Sequence, residues 1–282
     1  MNTLQEKQHR FHEILTKLGS VLIAYSGGID SAYLAWSAHQ IPGLRMLAIL
    51  ADSPSLARTH FHQAVAFADQ HQIPLEVINT SEMENADYVK NNLHRCFHCK
   101  NELFTKMEDA RNRLGFVHLA YGMNVDDQGD FRPGQKAALQ HGVVAPLVSA
   151  GLTKSEIRTL ARAASLPIWD KPASACLSSR IAYGNPVTRE TLGRVEQGED
   201  YLRQWGLLQF RVRDHGGLAR IEIANDELEK VLNPEMLQNL TAAFKQLGFT
   251  YVTLDCEGYR SGSMNAKLSS TALSSDHAHR LS

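Results

Sequence analysis

Short apolar runs alternate with segments of helical periodicity along the first 164 residues. Runs of strand length occupy residues 21–25, 45–50, 75–79 and 117–121. Apolar residues recur with a helical period in residues 5–18, 31–40, 55–71, 99–114 and 154–164. Thr153 and Glu156 stand at the start of the last of these segments with the spacing of a capping box, which marks a helix start. Strands that alternate with helices predict an α/β fold with a parallel sheet and helices on both faces.

The pattern changes after residue 164. Residues 165–187 carry three prolines and little periodicity, which is typical of a long functional loop. A helical segment follows at 188–205, and alternating runs at 210–213 and 219–223 flank Gly216-Gly217 and predict a hairpin. A helix over 234–247 and a strand over 250–254 complete a small α+β unit. We therefore divide the chain into an α/β domain over 1–170, a catalytic loop or linker over 171–187, an α+β domain for substrate binding or oligomerisation over 188–268, and a disordered polar tail over 269–282.

The composition is that of an ordinary globular protein, with 282 residues of which 43% are hydrophobic. Lys and Arg total 29 and Asp and Glu total 30, and this balance argues against a nucleic-acid partner, since such proteins usually show a basic excess. The first 15 residues do not read as a secretory signal, and no apolar run is long enough to span a bilayer. We therefore expect a cytoplasmic protein without a membrane partner, whose four cysteines serve metal binding or catalysis.

A glycine- and hydroxyl-rich turn, Ser26-Gly27-Gly28-Ile29-Asp30-Ser31, joins the first apolar run to the next helix. Two glycines let backbone N–H groups face a concavity, and a helix start adds partial positive charge. Asp52 and Gly122 follow other predicted strands at the same sheet edge, where ligands of parallel sheets bind. The turn lacks the Walker lysine and the spacing of the dinucleotide fingerprint. It resembles the PP-loop of ATP pyrophosphatases, which implies cleavage of ATP between the α and β phosphates; an ordinary glycine turn is the alternative.

Cysteine spacing gives the second chemical signal. Cys96 and Cys99 form a C-x-x-C pair, and Cys176 lies in the long loop that follows the predicted sheet. Three thiolates can hold three irons of a [4Fe–4S] cluster and leave the fourth iron open for substrate or sulfide. The alternatives are a zinc site completed by His94 or His98, a redox disulfide between Cys96 and Cys99, and plain buried thiols.

Further groups suit magnesium and anions. Residues 122–134 are dense in Asp and Gly, and their carboxylates would hold Mg²⁺ against ATP phosphates unless they form a solvated turn. Arg132 in this segment would pair bidentately with a phosphate or carboxylate. On the hairpin, Arg211 and Arg213 share one side of a strand and, with Arg220, predict an anion site, the alternative being a solvated strand face. A further anion-binding group beside Cys176 comprises Lys171, Ser178, Ser179 and Arg180.

With these motifs in this order, the chain resembles the LarE family of ATP-dependent sulfur transferases over roughly residues 10–265. The resemblance rests on YSGGIDS (25–31), GMNVDDQGDFRPGQKAA (122–138), KPASACLSSRIAYG (171–184), FRVRDHG (210–216), ARIEI (219–223) and YVTLDCEGYRSGSMN (251–265). Several separate motifs make it more specific than the PP-loop alone, which would indicate only the superfamily.

The resemblance implies an activity, a substrate and cofactors. LarE enzymes use ATP and Mg²⁺ to adenylate the carboxylates of pyridinium-3,5-biscarboxylic acid mononucleotide, release pyrophosphate, and replace AMP with sulfur on the way to the nickel-pincer nucleotide of lactate racemase. Adenylation is needed because oxide is a poor leaving group, whereas a sulfur nucleophile displaces AMP. The residues expected to bind ATP are Ser26, Gly27, Gly28, Asp30, Ser31, Gly122 and Asp127. Those expected to bind the substrate are Lys100, Arg132, Ser179, Arg180, Arg211 and Arg213.

The sulfur source divides this family. One type sacrifices a single cysteine and lacks the C-x-x-C, whereas the other resembles cluster-dependent tRNA thiolases, in which a [4Fe–4S] cluster on three cysteines delivers added sulfide. Cys96, Cys99 and Cys176 favour the cluster type, with all three as catalytic cluster ligands and a separate sulfide source as partner. Glu199 and Glu222 match two positions of an acidic metal site found in some members, although Lys230 stands at the third. Trimers and hexamers in the family predict a homo-oligomer.

Other functions are compatible with the same residues. The first is the same reaction with Cys176 as a sacrificial sulfur donor. The second is a PP-loop enzyme that thiolates tRNA, against which the balanced charge argues. A nucleotide-binding zinc scaffold without turnover is the third, and an amide-forming synthetase is the fourth, although the chain shows no glutaminase domain.

Overall fold

The computed structural model describes residues 3–128, 133–172, 175–260 and 263–264. The chain divides into two compact units, the first made of Met1–Val89 and Leu93–Ala175, the second of Lys90–Asn92 and Cys176–Ser282. The predicted tail at 269–282 and the candidate anion ligand Arg132 lie outside the described residues. No helix in the described ranges is both long and apolar enough to cross a membrane.

A four-stranded parallel sheet forms the centre of the first unit. Its strands are β1 (Ser20–Ala24), β2 (Arg45–Asp52), β3 (Leu75–Asn79) and β4 (His118–Tyr121), hydrogen-bonded in the order β3-β2-β1-β4. Every pair of neighbours is parallel. The four predicted strands and the predicted α/β fold are therefore confirmed.

Helices connect these strands, and the five predicted at 5–18, 31–40, 55–71, 99–114 and 154–164 begin within four residues of the expected starts. The sequence pattern did not predict the three helices at 86–89, 133–140 and 146–149. In chain order the helices are α1 (Leu4–Leu18), α2 (Ile29–His39), α3 (Arg58–Gln70), α4 (Ala86–Val89), α5 (Arg95–Leu114), α6 (Pro133–Gln140), α7 (Pro146–Ser149) and α8 (Lys154–Ala163). Single turns of 3-10 helix occupy Glu82–Glu84 and Val125–Asp127. The capping box at the start of α8 is confirmed, because Thr153 and Glu156 exchange both of its hydrogen bonds.

Strand β1 is buried on both faces, as a central parallel strand should be. Val21 and Ile23 are fully buried in a cluster that includes residues of α1 and α8. Leu22 and Ala24 point to the other face and pack with residues of α5 and α6. The alternation of successive side chains thus sets one helix layer on each face of the sheet.

The second unit is a small α+β structure with a three-stranded sheet. Its elements are α9 (Arg189–Gln204), β5 (Phe210–Asp214), β6 (Leu218–Ile223), α10 (Pro234–Gln246) and β7 (Tyr251–Leu254), with 3-10 turns at Leu177–Arg180 and Leu228–Lys230. Strands β5 and β6 form the predicted antiparallel hairpin, and β7 pairs with β6 in parallel. Leu202 of α9 and Phe244 of α10 are buried against the strands, so both helices cover the sheet.

Candidate functional site

The turn after β1 has a conformation and a packing that require glycine. Gly27 has a φ of 69°, which side chains rarely adopt, and a Cβ on it would lie 2.5 Å from Ala64 Cβ in α3. Tyr25 donates its hydroxyl to the carbonyl of Ala64 at 2.8 Å, which fixes α3 against the start of the same turn. Gly28 is the N-cap of α2. Because glycine has no side chain, it cannot accept a hydrogen bond from the first N–H groups of the helix.

Two serine hydroxyls close the loop that spans residues 26–31. The Ser26 N–H donates to Ser31 Oγ at 3.1 Å, and the two hydroxyls share a hydrogen bond of 3.1 Å. Ser31 Oγ also donates to the carbonyl of Gly28 at 3.1 Å. Helix α2 begins at Ile29, two residues before the predicted start, so Asp30 and Ser31 lie in its first turn. The loop is therefore held in shape before any ligand arrives.

Gly122 lies directly against the first turn of α2. A Cβ on Gly122 would lie 2.6 Å from the backbone N of Ser31 and 2.9 Å from the carbonyl carbon of Asp30. Gly122 follows the carboxyl end of β4, and the loop follows the end of the neighbouring strand β1. The structure thus brings together the loop and Gly122, two of the parts expected to bind ATP.

Asp30 anchors a polar network between α2, the 3-10 turn at Val125–Asp127, and α8. Its carboxylate accepts from Lys154 Nζ at 2.5 Å and from Asn124 Nδ2 at 3.3 Å. Asn124 and Asp127 form a capping box, in which the Asn124 N–H donates to Asp127 Oδ2 at 3.2 Å. Asp126 accepts from the backbone N–H of Lys154 at 2.8 Å. Asp126 and Asp127 thus belong to the same hydrogen-bonded network as Asp30, whereas Asp130 lies outside the described residues, and the magnesium site stays a prediction.

Sequence reasoning missed Lys154, Asn124 and Arg58 in this region. Lys154 meets Asp30 across 124 residues of sequence, so no local pattern links the two. At the end of β2, Arg58 pairs with Asp52 at 2.6 Å and donates to the carbonyl of Ser53 at 3.0 Å. The sequence pattern places Asp52 at this edge of the sheet, whereas its partner Arg58 belongs to no motif named above.

Cys96 and Cys99 lie in the first turns of α5, in the first unit. Residues three apart share one face of a helix, and Cys96 is exposed while Cys99 is half-buried. The next residue, Lys100, places its ammonium 5.7 Å from the centre of the Phe104 ring. The two thiols have the sequence spacing of two metal or cluster ligands. In the described parts of the chain, no group of three or more His, Cys, Asp or Glu side chains is gathered to hold a metal ion.

Cys176, the third predicted ligand, is the first residue of the longer segment of the second unit and is exposed. Its side chain stands just before the 3-10 turn Leu177–Arg180, and its carbonyl accepts from Ser179 Oγ at 2.7 Å and from Arg180 Nη1 at 3.1 Å. These two bonds fix the backbone of Cys176 and leave its thiol exposed. The [4Fe–4S] cluster on Cys96, Cys99 and Cys176 stays a prediction.

Arg180 is held by a buried ion pair. Arg180 is 1% exposed, and its guanidinium binds Glu199 through two contacts, Nε to Oε1 at 2.9 Å and Nη2 to Oε2 at 3.3 Å. Glu199 Oε1 also accepts from the backbone N–H of Val212 at 3.3 Å. Glu199, named above as a metal-ligand candidate, therefore has guanidinium and amide donors on its oxygens.

The arginines of the hairpin surround a second buried carboxylate. Glu222 is fully buried and accepts from Arg213 and Arg220, each at 2.9 Å. Arg211 is the cross-strand neighbour of Glu222, donates to the carbonyl of Phe210 at 2.6 Å, and lies over the Tyr259 ring at 5.0 Å. Burial lowers the pKa of Arg211, and the nearby Arg180 guanidinium lowers it further. Four arginines thus gather in the second unit with Glu199, Glu222 and Asp255, the last of which pairs with Arg220 at 3.4 Å.

Known proteins resemble this chain over almost its whole length. No protein-family model matches it. An uncharacterised protein of Synechocystis is 40% identical over 94% of this chain and 99% of its own length. The pyridinium-3,5-bisthiocarboxylic acid mononucleotide synthase of Lactiplantibacillus plantarum is 32% identical over 97% of this chain and 99% of its own. An uncharacterised protein of Methanocaldococcus jannaschii is 30% identical over 86% of this chain and 91% of its own.

The first two likenesses cover 94% and 97% of this chain and therefore extend over both units. A relative this similar over nearly the full length of both chains shares the family and the fold with the protein. The chain therefore belongs to the LarE family, that of the pyridinium-3,5-bisthiocarboxylic acid mononucleotide synthase.

Proposed function

We propose that the protein is an ATP-dependent sulfur transferase that converts pyridinium-3,5-biscarboxylic acid mononucleotide to the bisthiocarboxylate, a step in nickel-pincer nucleotide synthesis. The relative from Lactiplantibacillus plantarum is named as the synthase of that bisthiocarboxylate. The observation that carries the proposal in this chain is the closed loop of residues 26–31, with Gly122 packed on its helix. Such a loop at the end of parallel strands suits a polyphosphate.

In the first step, a carboxylate oxygen of the substrate attacks the α-phosphorus of ATP, and pyrophosphate leaves. The loop of residues 26–31 would hold the β and γ phosphates through its backbone N–H groups and the first turn of α2. Asp30 and Asp127 would supply oxygens to Mg²⁺ that accompanies ATP. The product is an acyl adenylate, in which the poor oxide leaving group has become AMP.

The substrate carries a phosphate and two carboxylates, so it needs cations. The arginines around Glu199 and Glu222 supply them, since Arg180, Arg211 and Arg213 sit close together in the second unit and burial strengthens their attraction for an anion. Ser179 adds a hydroxyl beside Cys176. Lys100 and Arg132 are proposed to assist at the cysteine-bearing segment of the first unit.

In the second step, a sulfur nucleophile attacks the activated carbonyl carbon and AMP leaves. We propose that Cys96, Cys99 and Cys176 bind a [4Fe–4S] cluster, since three accessible thiols are the donor set that such a cluster takes. When bound, the cluster supplies sulfide that it receives from a separate donor. The protein would work in the cytoplasm as a homo-oligomer, a trimer or hexamer.

The exposure of Cys176 also suits a second source of sulfur. An exposed thiol on a fixed backbone can itself attack the adenylate and leave its sulfur on the product by elimination, which converts the residue to dehydroalanine. That route consumes the protein, whereas delivery from a cluster allows many turnovers. Each route therefore predicts a different mass for the protein after reaction.

Release of pyrophosphate tests the adenylation step. The wild type should release pyrophosphate from ATP only when the biscarboxylate substrate is present. Ser31→Ala should slow this release by about tenfold, because it removes the bonds that close the loop. Ser149→Ala, on an exposed hydroxyl that bonds only its own helix, is the matched control. No release with the substrate would overturn the proposed function.

Iron and acid-labile sulfide after anaerobic reconstitution test the sulfur source. The wild type should hold about four irons per chain, and Cys99→Ala should lose them. Cys256→Ala, which changes the other exposed cysteine, should keep them. A protein without iron that still forms the thiocarboxylate, with sulfur missing from Cys176 by mass spectrometry, would replace the cluster by the sacrificial route.

A further inference from the structure

Lys171 reaches the nucleotide-binding loop from a distant part of the sequence. Its ammonium donates to the carbonyl of Gly27 at 3.0 Å, across 144 residues of chain. The loop of residues 26–31 has no lysine of its own, unlike the Walker loop, in which a lysine contacts the β and γ phosphates. Lys171 therefore brings a cation to the loop at a position that the local sequence leaves without one.

The backbone that carries Lys171 is fixed by α8. Arg158 of that helix donates to the carbonyl of Trp169 at 2.6 Å and to the carbonyl of Lys171 at 2.8 Å. Arg162, one turn later, stacks on the Trp169 ring at 4.8 Å. Two arginines of one helix thus hold the segment before and at Lys171, so the side chain starts from a defined position.

The charge of Lys171 is balanced differently from that of two other lysines of the first unit. Lys154 pairs with Asp30 at 2.5 Å, and Lys7 pairs with Glu156 at 2.8 Å. Within the ranges that the structure describes, no carboxylate forms an ion pair with Lys171, whose side chain is half-buried. Burial lowers the pKa of the Lys171 ammonium, because it disfavours the charged form. A partly buried cation with only a carbonyl partner is stabilised when an anion binds beside it.

We propose that Lys171 is a catalytic residue of the adenylation step, which contacts the ATP phosphates and supplies the cation that the loop lacks. This rests on the proposed function. As the substrate oxygen bonds to the α-phosphorus, the bond from that phosphorus to the bridging oxygen breaks and its electron pair leaves with pyrophosphate. Lys171 stays protonated throughout and donates hydrogen bonds to the phosphate oxygens, whose charge grows in this step. Arg158 acts through Lys171 as a positioning residue.

Binding of ATP, inorganic pyrophosphate and adenosine, measured by calorimetry with Mg²⁺ for the phosphates, tests this role. Lys171→Met should weaken ATP and pyrophosphate binding by about 10- to 100-fold, since it removes a charge-assisted hydrogen bond. Adenosine has no phosphate and should bind the variant as it binds the wild type. Lys171→Arg keeps the charge and should recover part of the loss. Lys17→Met, on an exposed lysine at the end of α1, is the matched control and should change nothing.

The position of Arg158 gives a second test. Arg158→Met should weaken pyrophosphate binding less than Lys171→Met does, and the double variant should bind no worse than Lys171→Met, because Arg158 acts through Lys171. Independent losses would contradict the positioning role of Arg158.

The outcomes separate the two proposals. Equal pyrophosphate affinity in Lys171→Met and the wild type would overturn the role of Lys171 and leave the proposed function standing. Equal losses of adenosine and pyrophosphate binding, with a lower melting temperature, would also overturn it, because Lys171 would then only support the Gly27 carbonyl. A wild type that binds neither ATP nor pyrophosphate would overturn the proposed function and this inference together.

Discussion

Lys154 Nζ lies 2.5 Å from Asp30 Oδ2 and joins the first turn of α8 to the first turn of α2. The side chains are 34% and 16% exposed, so the pair is partly shielded from water. Lys154 also donates its backbone N–H to Asp126. One residue thus ties the helix that starts at the nucleotide-binding loop to the turn that carries the other aspartates.

The coupling between Lys154 and Asp30 should appear in a double-mutant cycle. Lys154→Met, Asp30→Asn and the double variant should give a coupling energy of about 1 kcal/mol in the free energy of unfolding. A partly shielded ion pair stabilises a protein only slightly more than an exposed ion pair does. Urea denaturation measures it. A cycle of Lys154→Met with Asp52→Asn is the control, since Asp52 pairs with Arg58 instead. Additive effects in the first cycle would show that the contact contributes nothing.

Gly122 should not tolerate a side chain. The Cβ of Gly122→Ala would lie 2.6 Å from the backbone N of Ser31, which cannot move away without shifting α2. We expect a loss of about 1–3 kcal/mol in the free energy of unfolding in urea, together with weaker pyrophosphate binding. Gly193→Ala in α9 is the control, because its Cβ would meet nothing nearer than 3.8 Å and alanine favours helix. Equal stability of the two variants would contradict the close packing.

Local patterns in the sequence were sufficient to predict most elements of the fold. The apolar run at 21–25 gave β1, since a strand buried on both faces is a continuous apolar stretch. The capping box at Thr153 gave the start of α8, because both of its residues are close in sequence. The parallel pairing of β7 with β6 was not predictable in the same way, since periodicity reports a strand but neither its neighbour nor its direction.

For the candidate site too, local features could be predicted from the sequence, whereas contacts between distant residues could not. The loop of residues 26–31 was visible because its glycines and hydroxyls are contiguous. Lys154 and Lys171 were not visible as loop contacts, since they meet Asp30 and Gly27 across 124 and 144 residues. The pair of Arg180 with Glu199, which is 4% exposed, was not visible either, since the two residues lie 19 positions apart and the sequence indicates Glu199 only as a metal-ligand candidate.

Arg180 and Glu199 should be interdependent for stability. Arg180→Met leaves the Glu199 carboxylate buried with fewer donors, so the free energy of unfolding should fall by about 3–5 kcal/mol. Arg203→Met removes an exposed arginine that pairs with Asp200 on the same helix, and its loss should stay below about 1 kcal/mol. Urea denaturation of both variants gives the comparison. If the Arg180 variant lost no more than the Arg203 variant, the buried pair would not be holding α9 to the turn at Leu177–Arg180.

The stability that Glu227 provides should depend on pH. Its carboxylate is 5% exposed and accepts from the backbone N–H groups of Leu208 and Gln209 and from Lys230 Nζ. Burial raises the pKa of Glu227, but these donors outweigh it and bring the pKa below its ordinary value of 4.5. A carboxyl with a lowered pKa stabilises the fold above its unfolded pKa and loses that contribution as pH falls through the folded one.

Glu227→Gln should therefore unfold more easily than the wild type at pH 7, by about 1–3 kcal/mol, since it weakens bonds to a charged acceptor. The difference should narrow as the pH falls below about 4.5, where the unfolded wild-type chain takes up a proton at this carboxyl before the folded protein does. Urea denaturation at pH 7 and at pH 4 measures both values. Glu229→Gln, two residues away and exposed, is the matched control and should show no such change. A gap between Glu227→Gln and the wild type that stayed constant or widened on acidification would mean that Glu227 acts through packing and not through its charge.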